Sequence, residues 1–308
     1  MRRTFATTLA ELAEGDPRIV LLTGDLGFMA LEPFSDRVPD RFFNVGVAEQ
    51  NLTAVATGLA EAGFLPFTYS IATFATMRAF EFIRNGPVLH RLPVRIVGVG
   101  GGFEYGSAGY THHALEDLAL ARSLRGLRVI APADFQQARS ALLATWDAPE
   151  PIYFRLGKDD ATTVPDLDGR FDPAGVEVLG TGEDVLLVTT GAITVEVTAA
   201  AQLLARNGID AAVAVVANLN PAPVEALKDV LGRYRLAIAV EAHAVSGGLG
   251  SLVAEVIAET GVDCRLERRG VSAGPDGISG SQSWLQRKHG LDRQSIADAV
   301  TRALAAAR

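Results

Sequence analysis

The 308-residue chain reads as an α/β protein of two open, mostly parallel sheets flanked by helices, and three observations carry that expectation. Short runs rich in Val, Ile, Leu and Phe alternate with stretches of helical periodicity. Alanine, glycine and valine are abundant while aromatic residues make up only 7%, a composition suited to helices packed closely on sheets. Periodicity is lost between Lys158 and Glu183, where Asp, Gly, Pro and Thr take over, so the chain divides into residues 1–160, a linker at 161–183 and residues 184–308.

In the first part, a helix near 4–15 with Phe5, Leu9 and Leu12 on one face leads to a strand at Ile19–Leu22 that ends in Thr23-Gly24-Asp25. The run Phe42-Phe43-Asn44-Val45-Gly46-Val47 is apolar almost throughout, which predicts a parallel strand covered on both faces. Leu52, Val55, Ala56, Leu59 and Ala60 then fall at helical spacing, and Gly63 stops the run. Pro66–Tyr69 gives a third strand. A helix through Arg78, Phe80, Ile83 and Arg84 precedes a fourth strand, Val94–Val99, which ends in Gly100-Gly101-Gly102. Val129–Ala131 and Ile152–Arg155 complete a sheet of about six strands. The second part repeats the alternation on a smaller scale, with strands at Val185–Val188, Ala212–Val216 and Leu236–Val240 and helices near 193–207, 222–232 and 249–260.

Charge and cysteine content narrow the function. The net charge is −8 with both signs interspersed, so no basic stripe points to nucleic acid. The single cysteine, Cys264, excludes an internal disulfide and a cysteine-based metal cluster, reads as a small buried hydrophobe, and fits a reducing cytoplasm. No apolar run reaches the roughly 18 residues of a membrane span, and the first residues lead into an amphipathic helix rather than a secretory signal. The expectation is a cytoplasmic enzyme without membrane or nucleic-acid partners.

Glu49 stands at the carboxyl end of a strand and in the first turn of a helix, where open α/β sheets place ligands. It could equally complement the helix dipole, and those residues alone leave the two roles open. The run Gly100–Gly102 lacks dinucleotide or P-loop spacing and supports only a close backbone approach. Gly247-Gly248-Leu249-Gly250, after Glu241-Ala242-His243, suits tight packing at a subunit contact better than a ligand. His112-His113 has no third ligand at metal spacing, and one imidazole at a loop-to-helix junction suits proton transfer or plain solvation. No Gly-x-Ser-x-Gly elbow marks a serine hydrolase.

Taken together, Val45–Asn51, Thr73-Phe74 followed by Arg78-Ala79-Phe80-Glu81, Gly109–Asp117, Ala131-Pro132-Ala133-Asp134, and Glu241-Ala242-His243 with Gly247–Gly250 resemble the C-terminal half of transketolases and deoxyxylulose-phosphate synthases. The resemblance spans nearly the whole chain: a pyrimidine-binding domain and then a transketolase C-terminal domain. It implies thiamine diphosphate chemistry. Glu49 would hydrogen-bond the aminopyrimidine and favour the tautomer whose nitrogen removes the thiazolium proton, Phe74 would stack on that ring, and Ile71 and Arg78 would lie beside it. His112 would meet reacting oxygens and Arg155 would grip a sugar phosphate. Departures bear on the substrate: Gly100 replaces a basic residue, Ala108 an aspartate, and Ile71 an aromatic side chain. The family's Gly-Asp-Gly motif for magnesium and diphosphate is missing, Thr23-Gly24-Asp25-Leu26 being its nearest approach. The resemblance therefore implies a split enzyme, an α2β2 assembly with a separate N-terminal subunit that holds Mg2+, transferring a two-carbon ketol or acyl unit to an aldehyde or sugar. The alternatives are a 2-oxo acid decarboxylating, acyl-transferring enzyme or a non-catalytic regulatory relative.

Overall fold

The computed structural model describes residues 1–306 except Pro275. The first unit carries β1 (Ile19–Thr23), β2 (Phe42–Asn44), β3 (Leu65–Ile71), β4 (Arg95–Val99), β5 (Arg128–Ile130) and β6 (Ile152–Leu156). Its helices are α1 (Arg2–Gly15), α2 (Glu32–Ser35), α3 (Glu49–Glu61), α4 (Phe80–Ile83), α5 (Asp117–Arg122) and α6 (Phe135–Thr145). The second unit carries β7 (Glu177–Leu179), β8 (Val185–Thr189), β9 (Ala211–Val215), β10 (Asn218–Asn220), β11 (Leu236–Ala244) and β12 (Arg265–Val271). Between and after these strands come α7 (Thr194–Arg206), α8 (Val224–Leu231), α9 (Leu249–Thr260), α10 (Gln282–Lys288) and α11 (Arg293–Ala306).

The larger sheet has the order β10-β5-β6-β4-β3-β1-β2 and the smaller one β12-β11-β8-β9-β7. All pairings are parallel except β10 with β5 and β7 with β9. Strands β1, β4, β6 and β8 are buried along their whole length, as apolar strands with helices on both faces must be. Cys264 is buried, as its small apolar character predicts.

Three expectations are corrected. The strand at Phe42 is neither central nor covered: β2 has three residues, lies at the sheet edge, and leaves Phe43 and Asn44 exposed. Apolar character alone cannot separate a covered strand from an edge strand built for a partner. The second correction is β10, which the second unit donates antiparallel to β5, making seven strands where six were expected. Two of its three residues are asparagine, which carries little strand signal. Third, the helix expected through Arg78 and Arg84 is broken into a π-turn at Phe74–Arg78, a short α-helix, and a second π-turn at Arg84–Val88 that contains Pro87. Widened turns of this kind re-aim side chains and recur at functional sites.

Candidate active site

The carboxyl ends of β1, β2 and β3 meet at Glu49. Gly46, at φ +77°, turns the chain from β2 towards α3, a left-handed conformation that glycine adopts without strain. Glu49 opens α3 with its side chain buried. Its two carboxylate oxygens have different partners: Ser70 Oγ, on β3, donates to Oε1 at 2.9 Å, and Arg78 Nη1 donates to Oε2 at 2.6 Å. Gly24, just after β1, closes the site from the other side, since a Cβ there would lie 3.5 Å from Oε1.

Phe74 follows β3 on the first π-turn. The Arg78 guanidinium lies over its ring at 4.3 Å from the centroid, and the His112 ring meets it edge-on at 5.0 Å. His112 rides on a short 3-10 turn, Tyr110–His112, with Nδ1 3.0 Å from Thr111 Oγ1. Ile71 ends β3 and pairs with Val99, so Gly100 stands one step beyond it on the neighbouring strand. Glu49, Phe74, Ile71, Arg78, His112 and Gly100 are thus all at one end of one sheet. A buried carboxylate beside an aromatic face is a donor set that fits a flat, hydrogen-bonding heteroaromatic ring.

Gly100 has φ +83°, and a side chain there would collide with the Tyr105 ring. Tyr105 therefore fills the space a basic residue would take, 6.4 Å from the His112 ring, with Lys158 Nζ 4.2 Å above its centroid. Ala108 is exposed on the turn that follows. The neighbouring Glu104 accepts from the Lys158 backbone N–H at 2.8 Å, and burial pushes its carboxyl up to about 7.

Arg155 is where expectation and structure part. It is buried, and Nε and Nη2 donate to the two Asp117 oxygens at 2.8 and 3.1 Å. Nη2 also meets the Ala114 and Ala242 carbonyls at 2.8 and 3.0 Å. Burial, the largest single influence, works against its charge, but Asp117, Tyr153 and Glu104 together outweigh it and raise the guanidinium above its ordinary pKa. A guanidinium enclosed by four such bonds is not a free grip for phosphate, and the role expected of Arg155 is corrected accordingly.

The glycine runs prove to be places of internal close approach. A Cβ on Gly101 would lie 2.5 Å from Arg155 Nε, one on Gly102 would lie 2.8 Å from Ala242, and one on Gly247 would lie 2.5 Å from Ala119. The second run therefore packs within the chain, not only at a contact with another one. Ser70, Tyr105, Asp117 and Lys158 escaped sequence reasoning as site residues. Ser70 left a signal as a small hydroxyl at the carboxyl end of a strand, and Asp117 as the last residue of the Gly109–Asp117 motif. No group of acidic, histidine or cysteine side chains suited to a metal ion occurs among the described residues.

Comparison with known proteins settles the family. The transketolase pyrimidine-binding domain matches residues 1–163, and the transketolase C-terminal domain matches residues 174–296. The chain belongs to the transketolase family. A subunit of the apulose-4-phosphate transketolase of Actinobacillus succinogenes is 34% identical over 87% of this chain and 86% of its own length. The 6-deoxy-6-sulfo-D-fructose transketolase subunit of Clostridium sp. (strain MSTE9) is 33% identical over 97% of this chain and 93% of its own. A solved split gene transketolase, an inactive beta4 tetramer, superposes with a TM-score of 0.88 at 37% identity and covers 99% of this chain and 98% of that one. Transketolase from Campylobacter jejuni shares the fold at a TM-score of 0.78 and 18% identity, this chain spanning 46% of it. The chain is a split-transketolase subunit of the C-terminal type, part of a thiamine-diphosphate-dependent transferase family.

Proposed function

We propose that this transketolase subunit supplies the pyrimidine-binding half of a two-subunit active site, transferring a two-carbon ketol unit from a modified sugar donor to an aldehyde or sugar acceptor. The observation that carries the reading is the buried Glu49 carboxylate, held by Ser70 and Arg78 next to the Phe74 ring, on the open edge of the sheet. Thiamine diphosphate, when bound, supplies an electron sink for the carbon released from the donor. Glu49 would hold a proton at the pyrimidine ring nitrogen, and Ser70 and Arg78 fix the direction in which it presents its oxygens. Phe74 and Ile71 would flank the ring. His112, within reach of the same face, would exchange a proton with the reacting oxygens.

The separate subunit would bring the magnesium and diphosphate contacts in a cytoplasmic α2β2 assembly. Support for a partner lies at the same end of the sheet. Phe28 and Met29, on the connection after β1, and Phe43 and Val47, around the end of β2, are exposed apolar side chains, Met29 at 89% and Phe28 at 77%. Charged groups are usually depleted and aromatic residues and Met enriched in such contact surfaces. For the substrate, the support is the replacement of a basic group by Tyr105 over Gly100, and of a carboxylate by Ala108. The two relatives named above act on apulose 4-phosphate and on 6-deoxy-6-sulfo-D-fructose, neither of them an ordinary pentose phosphate.

Calorimetry and a donor panel test this reading. The chain alone binds thiamine diphosphate weakly and turns over nothing; reconstituted with its partner it binds tightly in the presence of magnesium. Tight magnesium-dependent binding by the chain alone would overturn the two-subunit site. Use of xylulose 5-phosphate at a kcat/KM of about 10⁴ M⁻¹s⁻¹ or better would overturn the modified-donor reading.

A further inference from the structure

The contacts around Arg155 do not stop at an ion pair. Tyr153, two residues earlier on β6, donates its hydroxyl to Asp117 Oδ2 at 2.7 Å, so two side chains of the same strand face end on one carboxylate. Asp117 is the first residue of α5, and the stretch from Ala114 to Arg122 is the direct continuation of the turn that carries His112. That stretch is gripped from the second unit. The Ala244 N–H donates to Leu115 O at 2.8 Å, and Arg122 Nη1 donates to the carbonyls of Gly247 and Gly248 at 2.5 and 2.9 Å. His243 Nε2 accepts from the Ala119 N–H at 3.3 Å, which leaves Nδ1 to carry the hydrogen and donate to Ala244 O at 2.7 Å. Glu241 in turn receives the Leu249 and Gly250 amides at the start of α9, which holds Gly247 and Gly248 in place.

We propose that Arg155, Asp117 and the Glu241–Gly250 segment form a clasp by which the second unit holds the His112 turn in register with Glu49 and Phe74. This rests on the functional reading above and assigns Arg155 as a positioning residue, one that acts through the loop without touching substrate. The turn itself is fixed at its near end by two 3-10 turns, one bridge between Gly102 and Ala114, the Gly280 N–H on Gly106 O at 3.2 Å, and the buried His113 ring 5.1 Å from Phe103. Among the described residues, the polar ties between its far end and rigid structure run through Tyr153 and the clasp. A displacement of about 1 Å at a catalytic group costs on the order of 10²-fold in rate, so the clasp is worth at least that much in turnover.

The test uses the full chain, alone and reconstituted with its partner subunit. With a panel of ketose donors headed by xylulose 5-phosphate and its modified analogues, Arg155→Met lowers kcat by about 10²-fold and leaves KM within about threefold. Arg155→Lys recovers part of the loss, because one ammonium still meets Asp117. Gly247→Ala, which presses on Ala119 from the second unit and lies outside the active site, also lowers kcat with KM kept. Hydrogen exchange on the chain alone speeds up across residues 106–122 in Arg155→Met and Gly247→Ala. A raised KM with kcat retained would show Arg155 touching substrate and overturn the proposal, as would unchanged kcat and exchange. Should Arg155→Met fail to fold, Tyr153→Phe, which removes a single hydrogen bond, gives the same reading on a smaller scale. Should the wild type use no donor, the functional reading falls, while exchange across residues 106–122 still decides the clasp.

Discussion

Two arginine–carboxylate pairs sit at the same end of this molecule and are built for opposite purposes. Glu49 and Arg78 meet at 2.6 Å with the arginine side chain 39% exposed, on an open edge beside aromatic faces. Asp117 and Arg155 meet at 2.8 Å with 0% and 5% exposed, enclosed by Tyr153 and by two carbonyls from different units. In the first pair a charge can lose its partner to water or to a ligand. In the second, neither charge has anywhere to go. The same chemistry therefore leaves the first pair open to solvent on its arginine side, and makes the second a structural lock closed on both sides.

The largest effect expected from this contrast is on stability. Asp117→Leu strands a buried guanidinium, and urea unfolding is expected to show a loss of about 3–5 kcal/mol. A loss under about 1 kcal/mol would mean that the lock is no tighter than a surface pair.

A second prediction concerns pH. Burial, the largest cause, depresses His243 from its ordinary 6.5 to about 4, so it folds as the neutral form that its hydrogen bonds require. Between these values the unfolded chain binds a proton that the folded chain does not. Stability is therefore lost as pH falls from about 6.5 towards about 4 and levels off below, by on the order of 3 kcal/mol from this group. His243→Asn retains a donor and an acceptor but does not titrate; unfolding free energies measured across this window should lose that slope, and an unchanged slope refutes the assignment.

Glu49→Gln keeps the shape and the burial while removing the charge. Turnover by the reconstituted enzyme is expected to fall by at least about 10²-fold, with a melting temperature close to that of the wild type. Full activity of this variant would place the acid–base role elsewhere.

The smallest effect belongs to the exposed arginine. Arg78→Ala is expected to lower unfolding free energy by about 1–3 kcal/mol, less than Asp117→Leu, because the buried Glu49 carboxylate loses one of its two partners but gains water on the half-exposed side that Arg78 vacates. Calorimetry on the complex should nevertheless show weaker cofactor binding, through a Glu49 held only by Ser70. Destabilisation as large as that of Asp117→Leu would erase the distinction between the pairs.

Much of the site could be read from residues in a row. Glu49 announces itself as a carboxylate opening a helix after a strand, and Thr73-Phe74 and Gly109–Asp117 carry family patterns that keep their order. Arg155 shows the limit. A motif can place an arginine at the end of a strand, but whether that arginine faces a ligand or an aspartate depends on Asp117, which lies 38 residues away in sequence and bonds it from the start of α5. Tyr105 over Gly100 was illegible for a related reason, because a glycine reports only the absence of a side chain and not what moves into the space.

The sequence by itself carried the alternation of strands and helices and the motifs by which the family is recognised, since periodicity and local motifs are properties of short stretches. Only the tertiary structure decided that β2 is an exposed edge, that β10 crosses from one unit to complete the other's sheet, and that the Glu241 and glycine motifs serve the His112 turn. Each of these depends on which groups are brought within about 3 Å of one another by distant parts of the chain, and hydrogen bonding and burial at that range have no local signature.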